Sequence, residues 1–178
     1  LQLVVAAVAL SARAALVRLS GVRPDLKWPN DLIVGNAKLA GILAEIAVTS
    51  ESLATVIGIG INLTHGGPVD VHSTSVLEQS GVTIVPRALL DILLEELELR
   101  RSQLASSEGR DELRAEYESA LSTLGKRVRV ERHDDVVVGE AVGVDSTGRL
   151  LVEVDGVVMT FSVGDVVHVR ALGAEPDA

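Results

Sequence analysis

The sequence contains no cysteine. Disulfides, thiolate metal centres and a cysteine nucleophile are therefore excluded, and the lack is compatible with a reducing cytoplasm. Aromatic residues make up only 2% of the 178 positions: Trp28, Tyr117 and Phe161. Three scattered rings cannot form a stacking platform for single-stranded nucleic acid. The core must come from Val, Leu, Ile and Ala, and at 47% hydrophobic residues there is ample supply. Positive charge is also short. Ten Lys/Arg meet fifteen Asp/Glu up to residue 123, and six meet ten from residue 124 onward, for a net charge of -9. Neither part offers a basic face, which argues against nucleic-acid binding by this segment. The opening run, LQLVVAAVALSARAALVRL, is interrupted by Arg13 and Arg18 and shows no basic leader or cleavage pattern. It reads as a buried Ala-rich helix rather than a membrane or signal segment. Because it starts at Leu1 in mid-helix, an upstream portion is expected.

The first helix should span residues 3–19 and stop at Ser20-Gly21. GVRPDLKWPND holds two prolines and reads as irregular, with a short strand at 32–34 and a turn at Gly35-Asn36. Residues 38–48 and 53–63, joined by a short polar link, predict a hairpin. Their near-continuous apolar character predicts a central place in a sheet. Residues 64–85 read as a loop with one helical turn around Val76-Leu77. Pro86 opens a helix to about residue 104, with Leu89, Leu90, Leu93, Leu94 and Leu97 as its stripe. A second amphipathic helix places Leu113, Tyr117, Leu121 and Leu124 on one face, with Gly125 as its stop. Beyond it, short β-prone runs alternate with turns, of which Asp155-Gly156 is a hairpin signal. Four or five strands in so short a span predict a small SH3-like β-barrel.

Residues 27–45 read KWPNDLIVGNAKLAGILAE, and residues 58–62 read GIGIN. Lys27 to Leu32, then Lys38 to Leu43 and Glu45, resemble the signature of biotin protein ligases, and GIGIN resembles that family's next motif. With the two later helices and the small C-terminal unit, the resemblance extends over nearly the whole chain. It implies an α+β fold: a catalytic domain like that of class II aminoacyl-tRNA synthetases, N-terminal part absent, over 1–124. An SH3-like barrel at 125–171 and a tail at 172–178 follow. It implies an ATP-dependent ligase that makes biotinyl-5′-AMP and transfers biotin to a lysine of a biotin carboxyl carrier protein. Biotin, ATP and Mg²⁺ are the implied small molecules. A cytoplasmic setting without membrane is expected, with a homodimer allowed. A glycine- and arginine-rich loop is implied upstream of the first helix, so that these residues alone would hold biotinyl-adenylate poorly.

Activating a carboxylate with ATP brings two anions together, so cations and donors are needed where charge accumulates. Lys38 opens an apolar strand; it is either an exposed lysine or, as the resemblance implies, the cation for the biotin carboxylate and bridging phosphate. Asn30 and Asp31 follow Pro29, which favours an extended bend. They form an ordinary turn or, by resemblance, lie by the nucleotide and the attacking amine, with Asp31 catalytic and a metal ligand. Lys27 is a surface charge or a second cation near the phosphates. Trp28 should brace the loop by burial. Asn62 closes an apolar strand, where an unpaired amide is costly; it caps the next loop or, by resemblance, contacts adenosine. Gly58 and Gly60 permit close approach of nucleotide or a neighbouring strand. With Leu63 in the third position they form no dinucleotide fingerprint. Gly41 leaves room for the flat biotin ring or marks a strand irregularity. His65, His72, His133 and His168 have no metal-ligand spacing, and the Glu95-Glu96-Glu98 run is a solvated helix face. Two rivals remain: a lipoate ligase using the same reaction type, and a non-catalytic paralogue that docks through its C-terminal unit.

Overall fold

A computed structural model describes residues 1–48, 53–67, 71–131, 136–162 and 165–168. Asp70, His133 and the expected tail lie outside the described residues, as does the side chain of His168. Helix α1 (Gln2–Ser20) comes first, then strands β1 (Asp25–Lys27), β2 (Asp31–Val34), β3 (Ala37–Val48) and β4 (Leu53–Ile61). Helices α2 (Val76–Ser80), α3 (Pro86–Leu104) and α4 (Ser107–Ala120) follow. Strands β5 (Arg127–Glu131), β6 (Val136–Val144), β7 (Leu150–Val154), β8 (Val157–Phe161) and β9 (Asp165–His168) complete the order. The first four strands form one antiparallel sheet in the order β1-β2-β3-β4, and the last five form another in the order β8-β7-β6-β5-β9.

α1 is long and apolar enough to cross a membrane, yet most of it is buried within the fold. It packs against α3 and α4. Ala6, Ala7, Ala12 and Ala15 are fully buried, and their small side chains let neighbouring backbones come close. Leu10 and Leu16 fill the space between, each burial contributing about 1.5–3 kcal/mol. The buried Ser11 hydroxyl donates to the Ala7 carbonyl at 2.7 Å, so this hydroxyl is not stranded. Gly21 ends the helix in the left-handed conformation at φ 75°.

One apolar cluster joins α1 to Leu26, Trp28, Leu32, Leu39 and Ile42, and continues through Tyr117 and Leu121 to Val128, Leu150 and Phe161. The two sheets therefore share a core. The N-terminus of α1 is held by the second sheet: Leu3 N donates to Thr147 O at 3.1 Å, and the Gln2 amide donates to Ser162 O.

Several expectations need correction. The β3–β4 hairpin is not central: β4 is the edge strand of its sheet among the described residues. Leu43 and Val56 are exposed because they lie on the face turned away from the core, and Ile46 and Val48 are exposed on the other face, toward the tip of the hairpin. The stretch before β2 is not wholly irregular, since β1 pairs with β2 from Asp25 to Lys27. α4 stops at Ala120, not at Gly125. Leu121 is extended and forms a parallel bridge with Leu26, so pairing with the sheet ends the helix before glycine can. The five C-terminal strands are present, and Asp155-Gly156 makes their hairpin turn with φ 50° and 80°. Among the described residues β8 and β9 do not pair, so no closed barrel is seen.

Candidate active site

Antiparallel pairing sets four of the sequence candidates in one row. Lys27 of β1 lies opposite Asp31 of β2, Asp31 opposite Gly41 of β3, and Gly41 opposite Gly60 of β4. Directly paired residues point to the same face. Leu26, Leu32 and Ala40, one position away, are buried on the opposite, core face.

Lys38 reaches that row through a bulge. Leu32 lies opposite Ala40 and Ile33 opposite Lys38, which leaves Leu39 as the extra residue of β3. Lys38 and Gly41 are three positions apart and would face opposite ways in a regular strand. The bulge changes that parity. The Lys38 ammonium consequently lies 2.6 Å from Asp31 Oδ1. That oxygen is buried, and its contact with Lys38 is ionic, without the alignment of a hydrogen bond. The two side chains are 40% and 21% exposed. With the Lys38 side chain 40% exposed, solvent screens the pair, and pairs of this kind are worth about 0–1 kcal/mol.

Gly41 makes room for the pair. A Cβ there would lie 3.1 Å from Lys38 Cε and 3.4 Å from Asp31 Oδ1. Gly58 and Gly60 differ: neither has a positive φ, and nothing lies within 4 Å of a Cβ at either. Glycine weakens a strand by about 0.5–1 kcal/mol relative to alanine. No contact within the described chain accounts for that cost, which leaves an open floor beside the ion pair.

The two asparagines organise backbone around the row. Asn30 Nδ2 donates to Ile42 O at 2.6 Å, and Ile42 N donates to Asn30 O at 2.9 Å, so the bend before β2 is tied to β3. Asn62 Nδ2 donates to Thr74 O at 3.0 Å and to Lys38 O at 3.4 Å. Lys38 N in turn donates to His72 O, and Thr74 N to Lys38 O, both at 2.9 Å. The segment 72–74 is thus a partner of Lys38 that sequence reasoning missed. One signal was present: Ser75 and Glu78 form a capping box that opens α2, which fixes where the loop returns. Trp28 is buried, as expected for a brace.

His65 and His72 are exposed. Among the described residues no three His, Asp or Glu side chains gather as a metal site. Asp31 is the carboxylate of the row, and a magnesium ion held by one carboxylate and by phosphates fits such a donor set. Chemically, the arrangement offers two cations, one carboxylate and a strand surface lined by Gly41, Gly58 and Gly60.

Comparison with known proteins bears on the same segments. Residues 2–62 match the model of the biotin/lipoate A/B protein ligase family, and residues 123–169 match the biotin protein ligase C-terminal domain. A biotin–[acetyl-CoA-carboxylase] ligase of Mycobacterium tuberculosis is 38% identical over 163 residues, covering 90% of this chain and 59% of that protein. The bifunctional ligase/repressor BirA of Escherichia coli is 29% identical, covering 85% of this chain and 48% of the relative. The chain thus spans about half to three-fifths of the length of these relatives. A biotin protein ligase from Aquifex aeolicus shares the fold at a TM-score of 0.82 and 21% identity, over 95% of this chain and 76% of that one. The same ligase in complex with biotin and ATP gives 0.80 at 23% identity, over 96% and 72%.

Proposed function

Since the chain belongs to the biotin protein ligase family, we propose that it carries part of the site that joins biotin to a biotin carboxyl carrier protein at the expense of ATP. In the first step a biotin carboxylate oxygen attacks the α-phosphorus, pyrophosphate leaves, and biotinyl-5′-AMP forms. In the second the ε-amine of a carrier lysine attacks the acyl carbon, AMP leaves, and the amine loses a proton as the amide forms.

The observation that carries this reading is the Lys38–Asp31 ion pair beside the glycine row. Lys38 exchanges its carboxylate partner for the biotin carboxylate and stabilises the charge that builds at the bridging oxygen. Asp31, freed from Lys38, orients the incoming amine and is the residue that would hold Mg²⁺. A bound magnesium ion supplies charge neutralisation on the phosphates. Lys27 is the second cation near the phosphates. Gly41 and Gly60 give the biotin ring and the nucleotide close access to backbone. Asn30 and Asn62 hold the backbone that borders the nucleotide, with Asn62 on the adenosine side.

The finer architecture belongs to the same proposal. Residues 1–124 form part of a catalytic domain of the class II synthetase kind, residues 125–171 an SH3-like unit, and 172–178 a tail. A cytoplasmic setting is part of the same proposal, and a homodimer is compatible with the exposed β3–β4 hairpin.

One family model also takes in lipoate ligases. The run from Lys27 to Leu32 and the C-terminal match favour biotin. Pyrophosphate exchange into ATP by the full-length protein, with biotin or lipoate as the acid, separates the two. Exchange that depends on biotin supports the reading. Exchange with lipoate alone replaces it with the rival acid, and none with either acid favours the docking paralogue.

A further inference from the structure

Trp28 links the second sheet to the bend that carries Asp31. Its side chain is only 1% exposed. Its indole N–H donates to Gly148 O at 3.2 Å, across 120 residues of sequence, and its backbone N–H donates to Thr123 Oγ1 at 3.1 Å. Both acceptors are fixed. Thr123 is fully buried. It follows Ser122, whose N–H and hydroxyl both donate to Leu26 O, at 2.7 and 3.0 Å, so this segment is stitched to β1. Gly148 has φ 84°, and a Cβ there would meet Leu3 N at 3.0 Å. Its turn is closed by Asp145, which accepts from Thr147 N at 2.9 Å and Arg149 N at 3.0 Å. Trp28 is therefore clamped from two sides by rigid elements, three residues before the carboxylate that meets Lys38.

We infer that Trp28 is a positioning residue: through its bonds to Gly148 in the β6–β7 turn and to Thr123 in the segment after α4, it sets the place of Asp31 relative to Lys38. The inference rests on the ligase reading above. It gives the β6–β7 turn a part in the adenylation step without contact with substrate. Misplacement of a reacting group by about 1 Å can cost a hundredfold in rate, so loss of one clamp bond has a measurable effect.

The test is a double-mutant cycle in the full-length protein, read by biotin-dependent pyrophosphate exchange and by thermal melting. Trp28→Phe keeps the ring and removes the indole N–H. It is expected to lower kcat about tenfold at a nearly parental melting temperature, and to add nothing in a Lys38→Ala background. Thr123→Val should behave the same way, and Thr123→Ser, which restores the acceptor, should recover the rate. A parental rate in both Trp28→Phe and Thr123→Val, or an equal loss in the presence and absence of Lys38, overturns the inference and leaves the ligase reading standing. A parental rate in Lys38→Ala alone overturns both.

Discussion

A methyl group on Gly41 would lie 3.2 Å from the Lys38 ammonium nitrogen, closer than most real side-chain contacts allow. Gly41 has no positive φ, so alanine fits its backbone. Gly41→Ala should therefore fold with a melting temperature close to the parent. It should displace the ammonium from Asp31 and lower kcat/KM for biotin about tenfold to a hundredfold. Steady-state kinetics beside a melting curve check both halves of this expectation. A parental kcat/KM would remove Gly41 from the site.

Gly60 tests the open floor. Nothing in the described chain fills the space above it, and a β-branched residue suits a strand better than glycine does. Gly60→Val should raise stability by about 0.5–1 kcal/mol while it blocks close approach of the ligand. Chemical denaturation and biotin-dependent exchange should move in opposite directions. Loss of both stability and activity would mean that Gly60 serves packing.

Asp145 gives a pH dependence. Burial pulls its carboxyl upward, but hydrogen bonds from the Thr147 and Arg149 side chains and their backbone N–H groups prevail and lower it to about 2. A carboxylate depressed in the folded state contributes stability above its unfolded value of about 3.9 and loses it as pH falls through the folded value. Asp145→Asn should lower the denaturation midpoint at pH 7. The gap to the parent should shrink between about pH 4 and pH 2. A gap that stays constant over that window would show that the charge of Asp145 is irrelevant to the turn.

Local patterns carried much of this fold. The apolar opening run, the helix opened by Pro86 and the Asp155-Gly156 turn each declare themselves over a few residues, although Leu90 and Leu94 of the expected leucine stripe are exposed. The segment of the candidate site stood out in the sequence because its residue types resemble a family signature, and residues 2–62 match a family model. What stayed hidden is non-local. Three residues with two charges, Asp25 to Lys27, show no strand pattern until β2 pairs with them. The bulge at Leu39 lies in a uniform apolar run, where one extra residue leaves no mark. Leu121 looks like a continuing helix face, and only its pairing with Leu26 stops α4. The bond from Trp28 to Gly148 spans both sheets, and no spacing rule reaches that far.

The most direct test of the account is the rate of biotinyl-adenylate formation by full-length protein carrying Lys38→Ala, followed by pyrophosphate release. Removal of a group that stabilises developing charge costs about 10²–10³-fold, and a fall of that size with an intact fold is the expected result. Release of pyrophosphate at the parental rate would contradict the assignment of Lys38 and, with it, the mechanism built on its pairing with Asp31.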